Sequence, residues 1–408
     1  MEYGCIGEKL GHSFSKEIHR ALGSYDYELC ELTKEELVEF MKAADFKAIN
    51  VTIPYKEAVI PYLDFIDDAA RAIGAVNTIV KKSGKLYGYN TDFYGMTELA
   101  HRLGVEITGK KVAILGTGGT SKTAKAVMKS LGAGEILVIS RTPKENEISY
   151  AELYEKHSDT EFIVNTTPVG MYPSVTKSPA DISRFERLSG VIDAVYNPLR
   201  STLVLDAQKR GIPALGGLYM LVAQGVRASE IFLDTVYPHD TQEKIYEKTL
   251  REKESIVLTG MPSSGKSTVG RILKESFGRE FIDTDEIIKE RIGMSIPEYF
   301  KRFGESEFRK RECEVIFDIS ALGGKIIATG GGAILRQENV ENLKRNGKIY
   351  FLDRSLELLV PTSDRPTAND RAAIEKLYQE RYEIYKSTAD VIIDANLDAT
   401  AVADRIGK

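Results

Sequence analysis

The chain has 408 residues, enough for two or three domains. Hydrophobic residues make up 42% and charged residues 28%, and the net charge of −5 provides no basic field that would favour nucleic acid as a partner. The three cysteines are odd in number and far apart, which excludes a disulfide framework and a zinc-finger spacing. The segment MEYGCIGEKL lacks a signal-peptide pattern, and no apolar run approaches the roughly 18 residues of a membrane span. We therefore expect a soluble cytoplasmic protein without a membrane partner.

Short apolar runs alternate with helix-like segments along the whole chain. Strand-like examples are KAINVTI (47–53), KVAIL (111–115), EILVIS (135–140), SIVLTG (255–260) and KIIATGG (325–331). This alternation predicts an α/β architecture with largely parallel sheets. The charged stretch HDTQEKIYEKTLREKES (239–255) is followed at once by a new strand-like run, so we place a domain boundary near residue 250. Residues 245–250 are equally consistent with the last helix of the first half.

Four polar motifs lie within the first hundred residues. They are GHSFS with Ser13 and Ser15, NVTIPYKE with Asn50, Thr52 and Lys56, GAVNT with Asn77, and YNTDFYG with Asn90, Thr91 and Asp92. Their hydroxyls, amides, amine and carboxylate suit a polyhydroxylated carboxylic acid and a proton transfer on one of its oxygens. The alternatives are structural, because Asn-Thr-Asp is also a good turn or helix N-cap and a single lysine is usually a surface residue.

A glycine-rich turn follows in KKVAILGTGGTSKTAKAVMKSLGAGEILVISRT, which has a strand–turn–helix–strand pattern. Gly116, Gly118 and Gly119 would let the backbone approach a pyrophosphate at a helix N-terminus, with Ser121 at the third glycine position. The second strand ends in Ser140, Arg141 and Thr142, where an NAD site has an acidic residue. Arg141 instead suits a 2′-phosphate, so the sequence predicts NADP. A tight turn and a solvated loop cation are the alternatives.

Over residues 1–250 the order and content of these motifs resemble those of the shikimate dehydrogenases. Three further motifs share the resemblance: NTTPVGM (165–171), DAVYNPLRSTL (193–203) and GGLYMLVAQG (216–225). The resemblance implies a substrate-binding part of about residues 1–98 and 218–250, and an NADP-binding Rossmann part of about 99–217. It implies that Ser13 and Ser15 bind the substrate carboxylate, that Lys56 and Asp92 form the catalytic pair, and that the substrate ring is lined by Thr52, Asn77, Tyr196 and Gln224. Lys16 stands where the family commonly has proline.

The chemistry of the pair agrees with that implication. Reduction of 3-dehydroshikimate passes a hydride from nicotinamide to the ring carbonyl carbon, and the carbonyl oxygen then needs a proton. Lys56 is the better donor, because an ammonium also stabilises the developing oxyanion. Asp92 would orient Lys56 and accept a hydrogen bond from a substrate hydroxyl.

The second half begins with TGMPSSGKST (259–268), which matches the P-loop pattern between a strand and a helix. We expect its backbone to hold the phosphates of ATP, Lys266 to bridge the β- and γ-phosphates, and Ser267 to ligate Mg²⁺. The residues that carry this nucleotide site are Gly260, Gly265, Lys266, Ser267 and Thr268.

Acidic and basic residues follow the P-loop helix. Asp283 and Asp285 flank Thr284, so one carboxylate can serve magnesium while the other takes a proton, although a helix cap is the alternative. FGESEFRKRE supplies Arg309, SDRPTANDR supplies Arg365, and ERYEIYKSTADVII supplies Arg381. Several arginines suggest an anionic acceptor, although most arginines lie on a protein's surface.

These spacings resemble shikimate kinase over about residues 254–394. The resemblance implies that Asp285 binds the shikimate hydroxyl and acts as base, that Asp283 belongs to the magnesium shell, and that Arg309 and Arg381 bind the carboxylate. It also places Gly330, Gly331 and Gly332 near the ring and Arg365 on a lid. The lid departs from the family, because Thr367 and Ala368 replace the usual apolar pair and LLVPTSD replaces an arginine-rich stretch.

The two halves point to one small molecule. The sequence therefore predicts a bifunctional enzyme that reduces 3-dehydroshikimate with NADPH and forms shikimate 3-phosphate with ATP and Mg²⁺, and no motif sets its oligomeric state. Three alternatives remain: a quinate-preferring dehydrogenase, a kinase for another small metabolite such as gluconate, and a half that has lost activity and serves as a scaffold.

Overall fold

The computed structural model describes residues 1–11, 13–23, 25–321, 323–361 and 370–407. The chain divides into two compact units, Met1–Leu250 and Arg251–Lys408. Each unit is built from sheets covered by helices, so the predicted α/β class is confirmed. Among the described helices, none is long and apolar enough to cross a bilayer.

The first sheet of the first unit has six strands in the order β2-β1-β3-β5-β6-β4. Strands β1, β2 and β3 are parallel, whereas β5 pairs antiparallel with both β3 and β6. The strands are β1 (Tyr3–Gly7), β2 (Glu28–Glu31), β3 (Ala48–Val51), β4 (Phe65–Ile66), β5 (Thr78–Lys82) and β6 (Lys85–Tyr89). Its helices are α1 (Ser15–Leu22), α2 (Lys34–Ala43) and α3 (Asp68–Ile73).

The second sheet is parallel throughout, in the order β12-β11-β10-β7-β8-β9. Its strands are β7 (Lys111–Leu115), β8 (Glu135–Ser140), β9 (Ile148–Ser149), β10 (Phe162–Asn165), β11 (Gly190–Asp193) and β12 (Ala214–Leu215). The helices of this part are α4 (Thr91–Leu103), α5 (Gly119–Ser130), α6 (Tyr150–Lys156) and α7 (Thr202–Lys209). They are followed by α8 (Leu218–Leu233), which packs against α1, α4 and the first sheet, and by α9 (Thr241–Lys253). The strand order reverses between β8 and β10 at β7, and ligands bind at the carboxyl ends of strands at such a point.

The second unit has one parallel sheet in the order β14-β15-β13-β16-β17. Its strands are β13 (Ser255–Thr259), β14 (Phe281–Asp283), β15 (Ile326–Ala328), β16 (Gly347–Asp353) and β17 (Val391–Asp394). The helices are α10 (Lys266–Phe277), α11 (Thr284–Ile292), α12 (Ile296–Ser320), α13 (Gln337–Asn346), α14 (Arg371–Thr388) and α15 (Ala399–Gly407). Val257 faces one hydrophobic core and Ile256 and Leu258 face another, so helices cover both sides of β13.

The predicted elements differ from the observed ones mainly at their ends. The first strand-like run, predicted over 47–53, forms a strand only over Ala48–Val51, and the run at 325–331 only over Ile326–Ala328. The charged stretch after residue 239 forms helix α9, which crosses the division between the units. Its last residues belong to the second unit, where Arg279 donates to the backbone carbonyls of Glu254 and Arg251.

Substitution of Gly270 in α10 provides a test of the packing in the second unit. Alanine usually stabilises a helix by about 1 kcal/mol relative to glycine, but a Cβ at Gly270 would overlap the Phe281 ring, and such overpacking costs about 1–3 kcal/mol. We expect Gly270→Ala to lower the free energy of unfolding of this unit by about 1 kcal/mol in urea denaturation. Gly270→Ala combined with Phe281→Leu should recover the loss, whereas a stabilised single variant would contradict this packing.

Candidate functional sites

The first site contains a largely buried ion pair between the turn that follows β3 and the start of α4. Lys56 Nζ donates to Asp92 Oδ2 at 2.5 Å, and the two side chains are only 13% and 9% exposed. Asn90 caps α4 by accepting from the Phe93 N–H, and its amide nitrogen donates to the Ala75 carbonyl. Asn90 therefore supplies the helix cap, and the Asp92 carboxylate is left to hold the lysine.

A network of buried amides and hydroxyls surrounds this pair. The Thr91 N–H donates to Asn77 Oδ1 at 2.7 Å, and Thr91 Oγ1 lies 3.4 Å from Gln224 Oε1 on α8. Asn50 donates to the Asn77 carbonyl and to Thr78 Oγ1. Two residues predicted from distant motifs, Asn77 and Gln224, therefore both contact Thr91. Thr52, which directly follows β3, is only partly buried.

The serine motif lies beside Tyr196. Ser13 Oγ donates to Ser15 Oγ at 3.1 Å, and the ring of Phe14 packs edge-on against Tyr196 with centroids 5.2 Å apart. Burial raises the pKa of Tyr196 to about 12, although a hydrogen bond with Ser13 lowers it. The phenol therefore stays protonated as a donor next to both serine hydroxyls, while Lys16 is exposed.

The glycine turn after β7 reaches the Lys56–Asp92 ion pair. Gly116 has φ 107°, and a Cβ there would lie 2.9 Å from both Thr166 Oγ1 and Thr167 Cγ2, so only glycine fits. A Cβ at Gly118 would meet nothing within 4 Å, which leaves room for a ligand. A Cβ at Gly119 would lie 3.7 Å from Lys56 Cδ. The turn predicted to bind the dinucleotide therefore borders the lysine predicted to donate the proton.

The neighbouring strand β8 ends in the triplet predicted to select the cofactor. Ser140 Oγ accepts from the Thr142 N–H at 3.2 Å, which turns the chain away from the sheet. Arg141 is exposed at this carboxyl edge. Its position next to the glycine turn is accessible to a phosphate on the adenosine ribose.

One buried carboxyl that holds the fold together was not among the predicted residues. Asp193, at the end of β11, is fully buried and accepts hydrogen bonds from Asn165 Nδ2, the Val195 N–H and Ser201 Oγ at 2.8, 2.9 and 2.5 Å. These bonds join β10, the loop that carries Tyr196, and the first turn of α7. The sequence did contain a signal for this contact. Asp193 ends an apolar strand and lies eight residues before Ser201, the N-cap of α7.

In the second unit the P-loop connects β13 to α10. Lys266 is 7% exposed, and its Nζ donates to the carbonyls of Gly260 and Met261 at 2.8 and 2.9 Å. Gly265 has φ 95° at the N-terminus of α10, and Thr268 is exposed on the first turn of the helix. The loop thus positions one ammonium and a row of backbone N–H groups for phosphate.

The two residues predicted for magnesium lie together. Ser267 Oγ donates to Asp283 Oδ2 at 2.7 Å, and both are the hard oxygen ligands that Mg²⁺ prefers when phosphate and water complete its shell. Within the described residues, no group of three or more histidines, cysteines or acids forms an all-protein metal cage. The residues therefore fit a magnesium ion that is shared with a nucleotide. Asp283 also caps α11 by accepting from the Asp285 N–H at 3.1 Å.

The residues predicted to bind the acceptor converge on the triple glycine after β15. A Cβ at Gly330 would lie 2.5 Å from Asp285 Oδ1, and one at Gly332 would overlap the Arg309 guanidinium. Arg381 Nη1 donates to the Gly331 carbonyl at 3.0 Å. A carboxylate and two guanidinium groups thus surround a bare backbone loop. Arg365, predicted on the lid, lies outside the described residues.

Glu312 was missed by the sequence analysis although its motif was recognised. It is fully buried and accepts from Arg309 Nη1 at 2.8 Å, while its Oε1 has no hydrogen-bond partner among the described residues. Burial raises the pKa of Glu312, and the charge of Arg309 opposes that shift. Its spacing of three residues from Arg309 on one helix was a usable signal.

The fold and these sites define a dinucleotide-linked oxidoreductase unit followed by a P-loop phosphotransferase unit. A family model described as shikimate dehydrogenase substrate binding domain matches residues 5–79, and one described as shikimate kinase matches residues 262–408. The shikimate dehydrogenase (NADP(+)) of Clostridium perfringens (strain SM101 / Type A) is 39% identical over 264 residues, which cover 60% of this chain and 97% of the relative. The chain belongs to the shikimate dehydrogenase family, and its second unit carries a shikimate kinase domain, so both resemblances are confirmed.

Solved structures resemble the first unit. Shikimate dehydrogenase 1 from Peptoclostridium difficile is 36% identical with a TM-score of 0.57, covering 61% of this chain and 98% of that one. A chorismate mutase/shikimate 5-dehydrogenase fusion protein from Clostridium acetobutylicum is also 36% identical, with a TM-score of 0.57 and coverage of 60% and 96%. The shikimate 5-dehydrogenase of Thermus thermophilus, in complex with NADP(H) and shikimate, is 27% identical with a TM-score of 0.54 and coverage of 61% and 99%.

The buried carboxyl of Asp193 gives a pH prediction. Burial raises its pKa from an ordinary 3.8 to about 6, although hydrogen bonds from Ser201, Val195 and Asn165 oppose the shift. The folded state therefore holds this proton more tightly than the unfolded state, and the resulting stabilisation is lost as the pH rises through about 6. Between about pH 5 and 7 the loss should be about 1 kcal/mol in the parent and absent in Asp193→Asn. Parallel curves of unfolding free energy against pH for the two proteins would disprove it.

Proposed function

We propose that the chain catalyses two consecutive reactions on one small acid. The first unit reduces 3-dehydroshikimate to shikimate with NADPH, and the second phosphorylates shikimate to shikimate 3-phosphate with ATP and Mg²⁺. The observation that carries the proposal is the position of the Lys56–Asp92 pair beside the glycine turn at Gly119, in a chain that also holds a shikimate kinase domain. The proposed limits are residues 1–98 and 218–250 for substrate binding, 99–217 for NADP, and 254–408 for the kinase.

In the first unit, bound NADPH supplies the hydride, and the chain supplies the proton and the orientation. Lys56 Nζ is held at 2.5 Å from Asp92, which aims the ammonium as a donor to the carbonyl oxygen. Both side chains are largely shielded from water, so the ammonium acts on developing oxyanion charge in a medium of low polarity. The exposed Arg141 would bind the 2′-phosphate and set the preference for NADP.

The substrate is recognised by groups around this pair. Ser13 and Ser15 lie within hydrogen-bond distance of each other and would both donate to the carboxylate. The orientation of the Asn77 amide is fixed, because Oδ1 accepts from the Thr91 N–H and the nitrogen therefore remains the donor. Tyr196 and Gln224 would close the site around the ring, with Thr52 at its edge.

In the second unit the chain positions reactants for phosphoryl transfer. Lys266 would leave its two carbonyl partners for the β- and γ-phosphates, while Ser267 and Asp283 hold magnesium. Asp285 would accept the proton of the attacking hydroxyl. Arg309 and Arg381 would bind the acceptor carboxylate, since guanidinium groups pair with carboxylates through two parallel hydrogen bonds.

The two-reaction proposal is tested with one incubation. Purified protein is given 3-dehydroshikimate, NADPH and Mg-ATP, and NADPH consumption and ADP formation are followed together. We expect both, with a lag in ADP formation relative to NADPH consumption, because the second reaction uses the product of the first. NADPH consumption without ADP would refute the second activity, and quinate outperforming shikimate in the reverse reaction with NAD would refute the proposed substrate and cofactor.

Two substitutions should separate the activities. Lys56→Ala removes the proton donor and should lower the dehydrogenase kcat by roughly 10²–10⁴-fold, while shikimate phosphorylation by the same chain is unchanged. Asp285→Asn should do the reverse, because the amide cannot accept the proton from shikimate. Steady-state assays of both reactions on both variants provide the matched controls, and a Lys56→Ala kcat within about twofold of the parent would rule out its role.

A further inference from the structure

The carbonyl of Gly331 is held by two side chains of α14. The Tyr385 hydroxyl donates to it at 2.5 Å, and Arg381 Nη1 donates at 3.0 Å. Tyr385 is fully buried, and its ring stacks on Phe351 with centroids 5.2 Å apart and planes 7° from parallel. Burial also keeps the pKa of Tyr385 above its ordinary value. The phenol is therefore a fixed donor that stays protonated throughout the neutral range.

The geometry of the peptide bond transmits this contact to Gly332. A trans peptide is planar, so its C=O and N–H point in opposite directions, and the loop contains no cis bond. With the Gly331 carbonyl bonded to Tyr385, the Gly332 N–H points away from that tyrosine. No other described residue accepts a hydrogen bond from this N–H. The Arg309 guanidinium packs directly against Gly332 and donates to Glu305 and Glu312. A carboxylate that replaced Glu305 on Arg309 would therefore lie beside this donor.

Thr284 anchors the preceding residue of the loop. Its Oγ1 accepts from the Gly330 N–H at 2.9 Å, and the Gly330 carbonyl accepts from the Ala333 N–H at 3.1 Å. Thr284 is fully buried between the two aspartates of its motif. With both groups of Gly330 and the carbonyl of Gly331 bonded, the backbone has little freedom to rotate the Gly332 peptide.

We propose that Tyr385 is a positioning residue of the kinase site, which directs the Gly332 N–H toward the carboxylate of the acceptor. The proposal rests on the shikimate kinase function proposed above and deepens it. In this arrangement Arg309 and Arg381 attract the carboxylate by charge, whereas the Gly332 N–H selects its orientation. Hydrogen bonds to a charged acceptor are stronger than neutral ones, so a misdirected N–H weakens acceptor binding measurably.

The test compares Tyr385→Phe with the parent on two acceptors, shikimate and its methyl ester, which lacks the carboxylate charge. The variant retains the stacked ring and loses only the hydroxyl. We expect kcat/KM for shikimate to fall about 5- to 20-fold, mainly through KM, with KM for ATP within about twofold of the parent. For the methyl ester the fall should be less than about twofold, because a neutral ester gains little from an aligned N–H.

Tyr382→Phe is the matched control. This tyrosine lies on the same helix, but its hydroxyl bonds to Asp353 Oδ2 at 3.1 Å and not to the glycine loop. Its removal should leave KM for shikimate unchanged. Equal losses for acid and ester in Tyr385→Phe, or an unchanged KM for shikimate, would overturn the proposal.

Two further results keep this test separate from the proposed function. If the parent phosphorylates no shikimate, the proposed function itself is wrong. If Tyr385→Phe does not fold, Thr284→Val replaces it, with Thr284→Ser as the variant that retains the hydroxyl. Thr284→Val should raise KM for shikimate and Thr284→Ser should restore it, and an unchanged KM in folded Thr284→Val would overturn the loop-anchoring model.

Discussion

Parallel pairing of strands is the constraint on which both sites depend. In the second unit β13, β14, β15 and β16 all run in one direction, so the P-loop, the aspartate pair and the triple glycine leave the sheet at the same edge. In the first unit the parallel β7 and β8 place the glycine turn beside the Ser140–Thr142 triplet in the same way. Residues that are far apart in sequence become neighbours because their strands end together, and no single motif has to contain a whole site.

Structural and functional roles coincide at several residues instead of competing. Asp283 caps α11 with one carboxylate oxygen and contacts Ser267 with the other, so the cap fixes the carboxylate that would serve magnesium. Arg381 likewise bonds to the Gly331 carbonyl while it belongs to the predicted acceptor set. A side chain already held by the fold loses little freedom when a ligand binds, which is how such sites are preorganised.

The sequence predicted the α/β class, the glycine turn and the P-loop because each depends on local chain geometry. It did not predict the roles of Asp193, Glu312 or Tyr385. Tyr385 meets Gly331 across 54 residues of chain, and Asp193 meets Asn165 across 28, and such contacts follow from tertiary packing. Strand ends were also overestimated. The strands stop at Val51 and Ala328, although the N–H groups of the next residues, Thr52 and Thr329, still donate to the neighbouring strands.

The position of helix α9 limits where a gene that encodes the kinase unit alone could begin. Helix α9 runs to Lys253 and β13 starts at Ser255, so one residue separates them, and Arg279 binds backbone carbonyls on both sides of Lys253. A gene for the kinase alone that began at Ser255 would lose both partners of Arg279, and one that began earlier would carry the solvent-exposed end of a truncated helix. Because the division between Leu250 and Arg251 falls within a helix, cleavage at that bond requires the helix to open first.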